Sequence, residues 1–327
     1  MNILILSSGR RVDIINYFKL FFHRYNSKVY TADMSPYSAA LYEGDKSFLI
    51  NKDFENLDKY VDDVIDVCKS NSISAVLTLI DPELVLLADN KEKFLNNGII
   101  PIVSSKEFID ITFDKFVFYE KFREKLPLLP TYSNVYEVYK ALEKDEINFP
   151  LFAKIRNGSG SAGIGKIDTK EGLKIYEAKE NYIFQPCLLK SEYGCDVYFD
   201  IKSKKIVTYF IKKKLNMRSG ETDKSISVKN KKIEELLFKL DNLGFSGPVD
   251  VDIFECVDGN FYINEINPRF GGGYPHAYNA GVNFIELIFN NLSGLVNNFI
   301  VPNYVEDYVM IKYNGMKFLN KSDLLHN

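Results

Sequence analysis

Cysteine is scarce in this chain. Cys68, Cys187, Cys195 and Cys256 lie far apart, with no C-x-x-C and no histidine at zinc-binding spacing. That argues against a disulfide framework and a zinc module, and the thiols read as buried groups in a reducing compartment. A strong charge bias is missing too. With 41 Lys+Arg against 44 Asp+Glu and a net charge of −3, the basic footprint of a nucleic-acid binder is absent. No segment approaches the roughly 18 uninterrupted apolar residues of a membrane span. The apolar opening, Ile3 to Leu6, is too short for a signal-peptide core and runs straight into Ser7-Ser8-Gly9-Arg10-Arg11. Low-complexity blocks are lacking, and 21 tyrosines with 25 phenylalanines argue against disorder. What remains is a 327-residue chain of ordinary globular composition, 46% hydrophobic and 26% charged. It is expected to be soluble and cytoplasmic and to divide into two or three lobes.

The 19 glycines outnumber the 11 prolines and cluster at 158–165, 244–247 and 271–273. Ahead of these clusters, short apolar runs at Ile3–Leu6, Lys28–Thr31 and Ala75–Leu79 alternate with helical spacing over Val12–Phe22, Leu57–Lys69 and Pro82–Asn96. This alternation predicts a small parallel sheet covered by helices. Ser105–Leu126 reads as a further helical region, broken by Leu126-Pro-Leu-Leu-Pro-Thr131. From 150 to 267 the strands are short and closely spaced: Leu151–Ile155, Ile183–Gln185, Asp196–Asp200, Ile206–Lys212, Pro248–Glu255 and Asn260–Asn267. That spacing favours antiparallel sheet and an α+β second half. Helices are expected over 230–243 and 283–297.

A strand carrying Lys154 leads into Gly158-Ser159-Gly160-Ser161-Ala162-Gly163-Ile164-Gly165. Small residues let backbone N–H groups approach a polyphosphate, and an upstream lysine adds a point charge. No Gly-Lys-Ser/Thr opens a helix, so this is not a Walker A loop, and the spacing fails for a dinucleotide fingerprint. Taken alone, the segment serves equally well as a hairpin tip or as a phosphate loop.

The stretch 247–269 is more specific. Asp258-Gly259 between two alternating runs predicts a two-residue type I′ hairpin, in which facing residue numbers sum to 517. Asp252 then faces Glu265, Asp250 faces Asn267, and alternation puts all four on one side. Like charges directly opposed cost roughly 0.2–1 kcal/mol. The pair therefore implies either a cation between the carboxylates or a solvated polar face. Hard oxygen donors without His or Cys suit Mg²⁺.

A glycine loop behind a lysine-bearing strand, with a Glu-x-Asn-Pro-Arg strand on an acidic hairpin, resembles the ATP-grasp superfamily. The nearest branch is the one typified by the carbamoyl phosphate synthase large subunit. The most specific element is Asn264-Glu265-Ile266-Asn267-Pro268-Arg269-Phe270-Gly271-Gly272-Gly273. The resemblance covers nearly the whole chain. It implies an α/β, Rossmann-like pre-ATP-grasp lobe over 1–103, then an α+β ATP-grasp fold of two subdomains over 104–184 and 185–327. It also implies an ADP-forming ligase that activates a carboxylate as an acyl phosphate and joins it to an amine or similar nucleophile. By position, Glu265 and Asn267 would hold Mg²⁺ together with Asp252, and Mn²⁺ would substitute. Lys115 and Lys154 would grip the ATP phosphates under Gly158, Ser159, Gly160 and Ser161. Gln185, Cys187 and Leu188 would form the hinge that reads adenine, and Glu192 would hold the ribose. Arg269 and Arg218 would face the transferred phosphoryl group. The implied partners are a small-molecule carboxylate and an amine, without nucleic acid or membrane, and a homodimer is left open.

In the first lobe, Ser7–Arg11 sits where a strand hands over to a helix, and Asp33 and Asp81-Pro82-Glu83 follow other strands. These are places where α/β sheets present ligand groups, and ordinary helix capping would account for them as well. The lysine runs at 202–205, 212–214 and 229–232 read as solvated faces, although alternation directs one or two of Lys212–Lys214 inward. His23, His276 and His326 form no catalytic group, and His276 reads as structural or as a substrate contact. Two further readings remain open at this level. One is a carbamoyl- or carboxyphosphate-forming half-enzyme, supplied with free ammonia or by a partner chain. The other is a non-catalytic ATP-binding sensor.

Overall fold

The computed structural model of the chain describes residues 1–157, 163–186 and 188–326. Gly158, Ser159, Gly160, Ser161 and Cys187, singled out from sequence, lie outside the described residues.

The N-terminal third builds a parallel sheet from β1 (Asn2–Leu6), β2 (Val29–Asp33), β3 (Lys46–Leu49), β4 (Ile73–Thr78) and β5 (Ile100–Pro101), in the order β3-β2-β1-β4-β5. Strands β1 and β4 are buried almost throughout, as expected for a sheet covered on both faces. The cover comes from α1 (Val12–Phe22), α2 (Leu57–Ser70), α3 (Asp81–Asp89) and α4 (Lys91–Asn96). The single helix expected over Pro82–Asn96 is in fact two, divided at Asn90, whose φ of −101° and ψ of 15° leave the helical region.

The expected helical region 105–126 is likewise divided, into α5 (Lys106–Phe113) and α6 (Lys115–Phe122). Asp114 between them is extended, and its carboxylate caps α6 by accepting from the N–H groups of Phe116 and Val117. α7 (Val135–Glu143) follows. A small antiparallel sheet comes next, β6 (Leu151–Ile155) between β7 (Gly165–Ile167) and β8 (Tyr182–Pro186), with α8 (Lys170–Lys174) packed beside β7.

The largest sheet is antiparallel, in the order β13-β12-β9-β10-β11-β14. Its members are β9 (Leu189–Phe199), β10 (Ile206–Arg218), β11 (Glu221–Ser227), β12 (Gly247–Cys256), β13 (Phe261–Asn267) and β14 (Val309–Ile311). α9 (Lys231–Phe238), α10 (Tyr274–Asn279) and α11 (Phe284–Leu292) complete the fold. β10 runs six residues past the expected end at Lys212. β11 has no counterpart among the expected strands: Glu-Thr-Asp-Lys-Ser-Ile-Ser lacks an apolar alternation. Its buried polar groups are satisfied by specific partners, Ser225 by His276 Nδ1 at 2.8 Å and Ser227 by the carbonyl of Val305 at 2.6 Å.

One core joins the first sheet to the last. Ile3, Ile5 and Phe18 share a buried cluster with Tyr198 and Phe210 of the large sheet and with Phe284 and Ile288 of α11. Phe284 also donates its N–H to the Tyr274 hydroxyl at 2.8 Å. Shortening a fully buried aromatic removes its transfer free energy and leaves a cavity. Phe284→Ala is therefore expected to lose about 3–5 kcal/mol of unfolding free energy, measured by urea titration.

Candidate active site

The acidic hairpin forms as the sequence implies, by a different route. Only Gly259 has positive φ (+79°) in the turn, and its N–H donates to the Cys256 carbonyl at 2.9 Å. A type I′ turn needs two such residues, so this is a one-residue-longer loop closed by a left-handed glycine. Near the turn, Glu255 faces Phe261 and Ile253 faces Ile263. A bulge at Asn264 then shifts the register, so Asp252 does face Glu265 and Asp250 does face Asn267. The bulge has a second effect: Asn264 Oδ1 accepts from Lys154 Nζ at 2.8 Å.

These residues floor a cleft of about 530 Å³ between the first lobe, the small sheet and the large sheet. One wall is apolar, with Phe152, Ile164, Leu189, Met217 and Phe254. Three lysines stand over the acidic floor. Lys115 opens α6, whose cap Asp114 is gripped by Arg156 at 2.8 Å, and its Nζ lies 3.8 Å from Glu265. Lys154 is buried and donates to Gln185 Oε1 at 2.8 Å as well as to Asn264. Lys214 reaches Asp252 at 2.6 Å and Glu192 at 2.7 Å. Of Lys212–Lys214, alternation thus sends two inward, Lys212 to a buried pair with Asp196 and Lys214 into the cleft.

The electrostatics follow from crowding. Burial pushes the Asp250 carboxyl up, and the charge of Asp252 pushes it further. Burial also raises Glu265, with Lys115 opposing and Asp252 reinforcing. Burial lowers the Lys154 ammonium to about 8, Glu265 opposing. For Lys214 burial works downward, but Asp252 and Glu192 win and hold it charged. Among the described residues no three acidic, His or Cys side chains are already gathered as metal ligands. Ammonium groups stand among the carboxylates instead. The oxygen donors Asp252, Glu265 and Asn267, on one face and without His or Cys, fit Mg²⁺.

Arg269 closes the floor toward the first lobe, with Nε 2.7 Å and Nη2 3.1 Å from the two oxygens of Asp81. The following glycines are needed for close approach: a Cβ on Gly271 would come within 2.5 Å of the Asp250 carboxylate. Ser7 to Arg11 line the same cleft. His276 is structural, buried between Ser225 and the Tyr308 carbonyl. Asp33 is also structural, accepting from the N–H groups of Gly9 and Ser35.

Three of the expected site residues are placed differently. Arg218 does not line the cleft: register shifts on either side of Asn216 reset the alternation of β10, so Met217 faces inward and Arg218 outward, to Asp223 at 2.9 Å. Leu188 also lies off the cleft, its carbonyl accepting from Val257, and Leu189 takes the lining position. Gln185 is buried behind the wall, where its amide bridges Lys154 and Thr131 and so aims the lysine. Sequence reasoning misses Asn264, whose bulge has no local signature, and Glu221, which sits on the unexpected β11.

Two family models match the chain: residues 3–102 match the N-terminal domain of PylC-like proteins, and residues 112–273 match the ATP-grasp domain. The chain is 27% identical over 233 residues to the D-alanine–D-alanine ligase of Staphylococcus carnosus, covering 60% of this chain and 62% of that protein. It therefore spans less than two thirds of the length of that curated relative. Its fold is similar to N5-carboxyaminoimidazole synthetase from Staphylococcus aureus, with TM-score 0.73, 17% identity, and 95% of this chain and 81% of that chain covered. It is also similar to the biotin carboxylase domain of Hydrogenobacter thermophilus 2-oxoglutarate carboxylase, solved with MgADP and bicarbonate. There the TM-score is 0.71 at 15% identity, covering 89% and 69% of the two chains.

The geometry separates two cationic residues. Lys214→Met is expected to weaken nucleotide binding about tenfold or more, because it removes a buried charge from the cleft. Arg218→Gln should change it less than about twofold. Equilibrium titration with a fluorescent ATP analogue distinguishes the two.

Proposed function

Starting from a chain that belongs to the ATP-grasp superfamily, with a PylC-like N-terminal domain, we propose an ATP- and Mg²⁺-dependent ligase that joins a small carboxylate to an amine and releases ADP. One observation carries this reading. Three cleft lysines converge on a partly buried face of carboxylates beside an apolar wall. Phosphoryl transfer requires positioned charge more than a covalent nucleophile, and this cleft supplies charge of both signs.

Each residue then has a role. The apolar wall takes the base, and Glu192, turned from Lys214, takes the ribose hydroxyls. Lys115, Lys154 and Lys214 hold phosphate oxygens. Asp252, Glu265 and Asn267 would hold the metal, which when bound neutralises charge on the phosphates. Arg269, fixed by Asp81, stands where the floor meets the first lobe and faces the phosphoryl group as it moves to the substrate carboxylate. The amine then attacks the acyl carbon, and the C–O bond to phosphate breaks, releasing inorganic phosphate as the amide forms. Mn²⁺ is expected to replace Mg²⁺, since it prefers the same oxygen donors. A cytoplasmic location and a homodimer belong to the same proposal. Among the described residues no helix is long and apolar enough to cross a membrane.

ADP release from Mg-ATP, screened with carboxylates (bicarbonate included) and amines, tests the reading. Acid- and amine-dependent turnover is expected, and Glu265→Gln should reduce it by about a hundredfold or more. Tight nucleotide binding without turnover on any pair would contradict it.

The lowered ammonium of Lys154 sets a pH dependence. Below about 8 it is charged and attracts phosphate; above about 8 it loses its proton in the free protein. The kcat/KM for ATP should therefore fall as pH rises through about 8, and Lys154→Met should be low and flat across that range.

A further inference from the structure

Lys115 and Lys154 reach the cleft from two separately packed parts of the molecule. α6 buries Phe118 and Phe122 in the apolar cluster of the large sheet, with Val197 and Val251. β6 buries Leu151 and Ala153 in the cluster of the small sheet, with Val138 and Phe184. Two lysines that serve the phosphates of one nucleotide therefore depend on how these parts are joined. Lys154 crosses the seam inside the cleft, to Asn264 at 2.8 Å. Arg156, two residues further along the chain, crosses it outside the cleft lining, to Asp114.

The join at Asp114 has more parts than a helix cap needs. Its carboxylate accepts from the N–H groups of Phe116 and Val117 at 3.0 and 3.1 Å, which by themselves cap α6. The same carboxylate takes Arg156, whose Nε lies 2.8 Å from each oxygen. The main chains pair as well. Asp114 and Asn157 form an antiparallel bridge, and Lys115 donates its N–H to the Arg156 carbonyl at 3.2 Å. The Arg156 guanidinium also lies 5.4 Å from the centre of the Phe116 ring. Burial works to raise the Asp114 carboxyl, but Arg156 and the two N–H groups hold it below its usual range. Better shielded from water, this contact is stronger than the open pair of Arg123 and Glu120 at the other end of α6.

We propose that Asp114 and Arg156 form a positioning clasp that sets Lys115, on the large-sheet side, in register with Lys154 on the small-sheet side. Neither residue lines the cleft, so the pair acts through a lysine and not on the nucleotide itself. Lys154 keeps its own holds on Asn264 and Gln185, which makes Lys115 the residue the clasp places. The inference rests on the nucleotide reading of the cleft and deepens it, since affinity for phosphate comes to depend on a pair that never touches phosphate. A misplacement of about 1 Å is enough to cost an order of magnitude or more at such a site.

The test uses the full chain with Mg²⁺ and a fluorescent nucleotide, N-methylanthraniloyl-ATP, with circular dichroism confirming that each variant is folded. Asp114→Asn keeps an acceptor for the α6 N–H groups and removes the charge that Arg156 grips. Arg156→Gln removes the other half, from a residue one-third exposed. Each is expected to weaken binding about tenfold, and the two together no more than either alone. In a Lys115→Met background, Asp114→Asn should weaken binding by less than about twofold further, because the lysine it places is gone. Binding within about twofold of the unsubstituted protein in both single variants would overturn the proposal. So would an undiminished tenfold loss in the Lys115→Met background. If the ligase reading alone fails, no carboxylate and amine pair releases ADP while this pattern of binding persists.

Discussion

Four oxygen-bearing side chains on one face of β12 and β13 set the terms for the rest of the cleft. Asp250, Asp252 and Glu265 are too close, and too little exposed, to be charged together without compensation. The cations around them answer that requirement. Lys214 lies on Asp252, Lys115 approaches Glu265, Lys154 is aimed by Asn264 and Gln185, and Arg269 sits between Asp250 and Asp81. These cations come from β6, β10, α6 and the segment after β13, so neutralising the acidic face also fixes how the small sheet, the large sheet and the first lobe meet. A metal nucleotide brings positive and negative charge of its own. It fits such a face because each ammonium can pass from a carboxylate to a phosphate.

The link to the first lobe is the most distant of these. Arg269 bonds both oxygens of Asp81 across 188 residues of sequence, and Arg11 reaches the Gly271 carbonyl across 260. Both run beside the apolar cluster that packs α1 and α11 together. The chemistry-bearing strand and the lobe that would present the substrate are thus one packed unit.

Much of this is legible in the sequence. Period-two alternation around Asp258-Gly259 places Asp252 opposite Glu265, although the turn and the bulge at Asn264 differ from the simple hairpin and their offsets cancel. Helix boundaries such as Val12–Phe22 follow from apolar spacing. What stays hidden has no local signal. β11 is polar on both faces and is stabilised by specific partners, so no apolar pattern marks it, and Glu221 is missed with it. Arg218 is misplaced because β10 continues beyond its apolar part and its register shifts between Lys214 and Met217, which exchanges the faces of the residues that follow. The Gln185 side-chain amide orients Lys154 by bridging it to Thr131, a part that nothing local in the sequence marks.

On this reading the β12–β13 face receives a divalent cation together with nucleotide. Crystals soaked with MnCl₂ and ADP, with diffraction recorded for the manganese anomalous signal, address it most directly. A peak within coordinating distance of the Glu265 and Asp252 carboxylates, with Lys214 moved from Asp252 toward phosphate, is the predicted result. Nucleotide density in the cleft with no manganese peak at these carboxylates would contradict the account.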